Sequence, residues 1–390
     1  MTTRRNFIKA GALATGTSIL GSRTAAAQGD FAGTVQSTSG EKSYAATGTV
    51  RPWTKAQRSR TPVAIDIHTH WAPGAYLKAR EDLGQPDTAV PANYDMARRK
   101  RLMEELGIQT SLLTLGGFRP WGWATAEQGA LMARVTNDAA VEAHSAFPQS
   151  FVAAIELNCS DAAGSLAELN RMAGKPGMVA VHLPTSLASR EFLFEPAFAP
   201  VLARAEQLGL PIVLHPLDGQ PNWFAGHRLA DEYSGLDSAA RPGAPPSRFP
   251  GLTNSLGNSL EIAVTVCKLI NSGTLDKYPN LTFIATQGGG AIPYVMGRLE
   301  NRSGDNHLKY PLHTYLRRFY YDSLTYWSPS LRFLAEMVGT DRIVLGTDNM
   351  YGAGENGPAN QPLSIIDQAN FPEQERDLVL RGNLKRLFRI

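Results

Sequence analysis

Residues 63–70 read Val-Ala-Ile-Asp-Ile-His-Thr-His. Val63–His68 has the near-continuous apolar, β-branched character of a strand buried on both faces. Seven more runs of this kind follow: Thr110–Leu115, Phe151–Leu157, Met178–Leu183, Pro211–His215, Leu281–Thr286, Phe319–Leu324 and Arg342–Gly346. Between them lie segments with apolar residues at i, i+3 and i+4, such as Ala197–Leu208, Leu260–Ile270 and Leu331–Val338. Eight strands alternating with helices from Pro62 to the C-terminus predict an α/β fold, a (β/α)8 TIM-type barrel. The competing doubly wound sheet lacks support for a dinucleotide site, since no G-x-G-x-x-G follows the first strand.

Outward from that core, the 390-residue chain has ordinary globular composition, 43% hydrophobic and 8% aromatic, which excludes whole-chain disorder. Its two cysteines, Cys159 and Cys267, exclude a disulfide framework and read as unpaired packing residues, with a single bridge between them left open by an oxidising compartment. No unbroken apolar run is long enough for a stable membrane span. The net charge of +3 is carried by Arg4, Arg5, Lys9 and Arg23; without these four the remainder is one charge negative. A nucleic-acid partner is therefore not expected.

Those four cations frame a leader. Arg4-Arg5 precede Phe7-Ile8-Lys9, a mild apolar stretch runs from Ala10 to Leu20, and Ala25-Ala26-Ala27 is a small-residue cleavage pattern. Residues 1–27 resemble a twin-arginine signal peptide, implying the twin-arginine export machinery as a partner, cleavage after Ala27, and a periplasmic or otherwise exported location. Residues 28–61 are polar and aperiodic and read as a linker or arm, and 62–390 as the barrel domain.

Two connections are long, Trp71–Asn93 after strand one and Pro216–Asn258 after strand five. Both are expected to lie over the C-terminal mouth of the barrel as lid or binding loops. The chemistry sits at the strand ends. Alternation places His68 and His70 on one face of strand one. Strand five ends on His215, and strand eight leads into Gly346-Thr347-Asp348. Barrel enzymes collect their groups from such ends. Three neutral imidazoles and a carboxylate at His68, His70, His215 and Asp348 suit one divalent ion, Zn²⁺ in the first instance and Mn²⁺ in the second, with a position left for a small-molecule substrate.

The motifs Asp66-Ile67-His68-Thr69-His70, Val213-Leu214-His215-Pro216, Gln287-Gly288-Gly289-Gly290-Ala291-Ile292-Pro293 and Leu345-Gly346-Thr347-Asp348, with the closing Gly382-Asn383-Leu384-Lys385-Arg386-Leu387-Phe388, resemble the amidohydrolase superfamily over residues 62–390. The branch they look like is the one typified by aminocarboxymuconate-semialdehyde and γ-resorcylate decarboxylases. The resemblance implies one divalent metal on His68, His70, His215 and Asp348, and a carboxy-lyase acting on a small carboxylated aromatic or muconate-like substrate. The chain departs from that branch at Gln287, where the resembling decarboxylases carry a titratable histidine. Glutamine can orient a group but cannot carry a proton. The substrate arginine of the muconate enzyme has no evident counterpart either, the loop after strand one offering only Lys78 and Arg80.

Asp348, Gln287 and His182 are the catalytic candidates, His182 as the proton carrier that Gln287 cannot be. Arg119 and Trp223 are the substrate-binding candidates, Arg119 as a bidentate clamp on an anionic group. Arg298 reads as a structural ion-pair residue. The three glycines read either as room for close helix packing or as backbone donors facing the mouth, without the Lys-Ser/Thr of a phosphate loop. Three functions remain open on the sequence: a metal-dependent carboxy-lyase, a metal-dependent hydrolase of a lactone, ester or amide, and a non-catalytic metal-binding barrel. A homo-oligomer is compatible with each.

Overall fold

The computed structural model describes residues 63–85, 95–115, 119–187, 191–216, 253–302, 307–348 and 361–390. The expected leader, the linker and Trp223 lie outside the described residues, as does most of the connection after strand five.

Eight strands form one parallel sheet in sequential order: β1 Ala64–His70, β2 Ile108–Thr114, β3 Phe151–Glu156, β4 Met178–Pro184, β5 Ile212–His215, β6 Phe283–Ala285, β7 Phe319–Asp322 and β8 Ile343–Val344. Beyond β8 the chain returns to β1. Ile67 N–H donates to Leu345 O at 3.0 Å, and Asp348 N–H donates to His68 O at 2.8 Å. The result is the (β/α)8 barrel.

Two apolar layers hold it. A cluster with residues from every strand (Ile65, Ile67, Leu112, Val152, Ala154, Ala180, Val213, Ile284, Tyr320, Val344) fills the barrel, and Leu384 and Phe388 of the last helix, Asn383–Phe388, pack against it. A larger cluster lies between the strands and the surrounding helices, which include Ala126–Ala146, Ala162–Met172, Ala199–Leu208, Asn258–Asn271 and Ser328–Val338. Strands covered on both faces have no polar face to show, which is why their sequences lack alternation.

Every expected strand is present, with shifted ends. β1 runs on to His70, while β6 and β8 shrink to three and two residues. The short strands end early because the chain turns sharply at their C-terminal ends. Gln287, Tyr326 and Asp348, in the connections after β6, β7 and β8, all have positive φ, at 56°, 54° and 55°. Gln287 therefore lies in a turn beyond β6 and not on the strand itself. The glycines after it serve close packing. A Cβ on Gly290 would stand 1.7 Å from Ser259 O, and one on Gly289 2.6 Å from the Tyr321 ring.

Candidate metal centre

β1 delivers its two histidines by a bulge. Four residues of β1, Asp66 to Thr69, run alongside three of β2, Ser111 to Leu113. The extra residue lets Ile67 belong to the inner cluster while His68 and His70 just beyond it both reach the site. His215 ends β5. The ligand nitrogens of His68, His70 and His215 all lie within 4.8 Å of one another, and all three side chains are buried. Ring centroids are 4.8–5.2 Å apart, each pair edge to face. Asp348 lies beside two of the three, with Oδ1 2.9 Å from His70 Nε2 and 3.5 Å from His68 Nε2.

The outward nitrogens of His68 and His215 fix their tautomers, while His70 Nδ1 has no hydrogen-bond partner among the described residues. His68 Nδ1–H donates to Asp322 Oδ2 at 2.7 Å, and His215 Nδ1–H donates to Pro216 O at 2.6 Å. Each bond leaves the Nε2 lone pair for the centre, the arrangement that metal-binding histidines use. Asp322 also accepts from Gly288 N–H at 2.7 Å and Leu324 N–H at 3.2 Å, both on Oδ1. Asp66 accepts from His68 N–H and Thr347 N–H, each at 3.1 Å, and from the Thr347 hydroxyl at 2.5 Å. It thereby ties the two strand ends that carry His68 and Asp348.

These residues fit a divalent ion. His68 Nε2 is buried with no hydrogen-bond partner among the described residues, a cost that a cation on that nitrogen would remove. Burial alone would lower the His68 pKa, yet Asp348, Asp322 and Asp66 outweigh it and raise it to about 9. The pocket thus favours positive charge. His215, with no carboxylate beside it among the described residues, is held well below the ordinary histidine value by burial and by His70 and His68, and is neutral as a ligand must be. Burial would push the Asp348 carboxyl up, but His68 and His70 hold it below its usual range.

A second buried group lines the β2–β4 side. Arg119, 4% exposed, places Nη2 2.5 Å from His182 Nε2. His182 Nδ1 stands 2.6 Å from Glu156 Oε1, which also accepts from Leu115 N–H at 2.8 Å. Glu156 Oε2 is 4.0 Å from Arg119 Nε. The His182 and His215 rings are 6.1 Å apart, so this group borders the histidine cluster. Burial raises the Glu156 pKa to about 7 against the pull of Arg119.

Arg119, although it follows a strand in a connection, is thus buried and not a solvated loop residue. Arg298 is exposed and makes no ion pair among the described residues, against expectation. Arg80 lies over the rings of Tyr76 and Trp123. Cys159 and Cys267 are both free thiols. Sequence reasoning missed Glu156 and Asp322 as parts of the site and gave Asp66 no role. The available signal was a single acid closing an apolar strand, as in Phe151–Glu156 and Phe319–Asp322.

Known proteins resemble the chain over the barrel. The family described as Amidohydrolase matches residues 65–390. The 2-amino-3-carboxymuconate-6-semialdehyde decarboxylase of Dictyostelium discoideum is 26% identical over 269 residues, 67% of each chain. The 2-keto-4-carboxy-3-hexenedioate hydratase of Sphingobium sp. is 24% identical over 359 residues, 83% of this chain and 95% of that one. Among solved structures, a dihydroxybenzoic acid decarboxylase from Polaromonas sp. JS666, with bound manganese and the inhibitor 2-nitroresorcinol, shares the fold. Its TM-score is 0.67 at 23% identity, covering 84% of this chain and 96% of that one.

Proposed function

The chain belongs to the amidohydrolase family, and from that premise we propose that it is a metal-dependent carboxy-lyase acting on a small carboxylated aromatic or muconate-like compound. The observation that carries this is the convergence of His68, His70 and His215 within 4.8 Å, with Asp348 Oδ1 2.9 Å from His70 Nε2. These four residues would hold one divalent ion. The ion supplies a Lewis acid for a substrate oxygen beside the scissile carboxylate. Its identity is zinc or manganese: the nitrogen-rich ligand set suits zinc, and the manganese of the Polaromonas structure supports the other.

The chain's own residues divide the remaining work. Arg119 holds the substrate carboxylate. When the C–C bond breaks, CO₂ leaves, the electron pair stays on the substrate carbon, and that carbon must take up a proton. Asp348 is the member of the ligand set best placed to pass it, since its side chain is 25% exposed while His68 and His70 are 1% and 9% exposed. Gln287 orients the substrate and carries no proton. Trp223 supplies an aromatic wall. Export follows from the leader: replacing Arg4 and Arg5 with lysine should retain the precursor in the cytoplasm.

Exposing the zinc- and the manganese-loaded protein to hydroxybenzoates, carboxymuconates, unsaturated tricarboxylates, lactones and esters tests the reading, with CO₂, loss of the conjugated double bond and acid release followed separately. CO₂ release is expected. Hydration of a double bond, the reaction named for the Sphingobium relative, or acid release from a lactone or ester would replace the lyase reading.

A further inference from the structure

The β2–β4 cluster supports a step beyond that assignment, one that rests on Arg119 holding the substrate carboxylate. A guanidinium carries donors only and keeps its charge in proteins. The 2.5 Å contact between Arg119 Nη2 and His182 Nε2 therefore has one direction: arginine donates and Nε2 accepts. With Nε2 holding a lone pair, the proton of a neutral imidazole sits on Nδ1. There it donates to Glu156 Oε1 at 2.6 Å. That oxygen is itself set by Leu115 N–H at 2.8 Å, at the end of β2.

The backbone of Glu156 is fixed as well. Asn137 accepts from Glu156 N–H at 2.8 Å and donates to Glu156 O at 2.9 Å. The register places Glu156 of β3 beside His182 of β4, so the acid and the imidazole meet with no loop between them.

We propose that Glu156 and His182 are positioning residues that orient Arg119 to hold the substrate carboxylate, with His182 acting as a neutral hydrogen-bond acceptor and not as a proton carrier. Both ring nitrogens are engaged, one on a guanidinium that cannot take a proton and one on a carboxylate below it. No N–H of His182 is left to give to substrate carbon. A guanidinium is a planar fork, so fixing one of its nitrogens on a buried acceptor fixes the plane in which it meets a carboxylate. Burial, with Arg119, His70 and His68 nearby, also holds the His182 pKa well below the ordinary value.

The test compares two replacements of His182 in the metal-loaded enzyme. His182→Gln puts an amide oxygen near the place of Nε2 and keeps the acceptor for Arg119, yet it cannot titrate. His182→Leu keeps much of the volume and removes the acceptor. We expect His182→Gln to retain kcat within about tenfold with an unchanged pH profile, and His182→Leu to raise KM about ten- to a hundredfold with kcat much less affected. Loss of kcat in His182→Gln as complete as in His182→Leu, at unchanged KM, would show that His182 carries the proton and overturn the proposal. A second readout does not depend on turnover. In ¹⁵N-histidine-labelled, zinc-loaded protein at pH 7, His182 should show a protonated Nδ1 and an unprotonated Nε2. A protonated Nε2, alone or in an imidazolium, overturns the proposal even if the enzyme is active. If no carboxylate in the substrate panel is turned over, the carboxy-lyase reading falls and the tautomer alone decides this one.

Discussion

The two halves of the barrel mouth are charged in opposite senses. On the β1, β7 and β8 side, Asp66, Asp322 and Asp348 surround the histidines, and a buried imidazole there is pushed up to about 9. On the β2–β4 side, Arg119 stands over Glu156, and the imidazole of His182 is pushed down. The same side chain, equally buried, is driven in opposite directions by its neighbours. One half thus demands a cation, and the other presents one. A carboxylated substrate whose oxygen seeks a metal and whose carboxylate seeks a guanidinium spans the two.

Removing a metal ligand should have the largest effect. His215 has no carboxylate beside it among the described residues and contributes as a neutral nitrogen. His215→Ala should reduce bound metal from one per chain to near none and cost on the order of a thousandfold or more in kcat/KM. Elemental analysis of the purified variant beside its kinetics checks this. A variant that keeps full metal occupancy would remove His215 from the ligand set.

Asp322 should come next. Its two oxygens accept from different donors, His68 Nδ1–H on one and Gly288 and Leu324 N–H on the other. An asparagine in its place would offer only one acceptor oxygen, so the amide N–H₂ must confront either His68 or the β6–β7 turns. Facing His68, it would favour the tautomer whose Nε2 carries hydrogen and cannot bind metal. Asp322→Asn should weaken metal affinity about ten- to a hundredfold, measurable by competition with a chelator. Unchanged affinity would mean that the tautomer is fixed elsewhere.

What the sequence made legible follows from how each half is built. The metal-side histidines lie at strand ends within short contiguous motifs, and alternation alone pairs His68 with His70. The bulge that turns them to the site changes no residue type and left no mark. Glu156, Asp322 and Asp66 act through partners 26 to 281 positions away. Strand register creates those contacts, and nothing local encodes it. Arg119 was legible as an arginine after a strand but not as a buried one, because its burial comes from β3 and β4 packing beside it.

Glu156 gives the guanidinium half its own test. Its folded pKa, about 7, lies above the ordinary value of 4.5, because burial opposes ionisation more than Arg119, the Leu115 N–H and His70 favour it. The stability it contributes is therefore present below about pH 4.5 and is lost as pH rises through about 7. Between pH 4.5 and 8, the wild type should lose on the order of 3 kcal/mol relative to Glu156→Gln. Denaturant unfolding of both proteins across that range reads the difference. A difference that grows with pH in favour of the wild type would mean that Arg119 outweighs burial and Glu156 ionises early.

The smallest expected effect returns to the carboxylate-rich half, at Gln287. It stands at φ 56°, and its neighbour Gly288 donates to Asp322, so the turn is braced by the carboxylate that orients His68. The left-handed conformation costs a side-chain-bearing residue about 1–2 kcal/mol, whereas glycine adopts it freely. Glycine also adds freedom to the unfolded chain, offsetting about 0.4–1 kcal/mol of that gain. Gln287→Gly should therefore be more stable than wild type by roughly 0.5–1 kcal/mol, a rise of about 1–2 °C in Tm. Loss of the orienting amide should at the same time lower kcat/KM about tenfold or more. Gln287→Ala keeps the strained backbone and loses the amide, so its rate should fall without the gain in Tm. Thermal melts and kinetics of the two variants together separate strain from chemistry. If Gln287→Gly melts below wild type, the Gln287 side chain contributes more in contacts than its backbone costs, and the strain belongs to packing, not function.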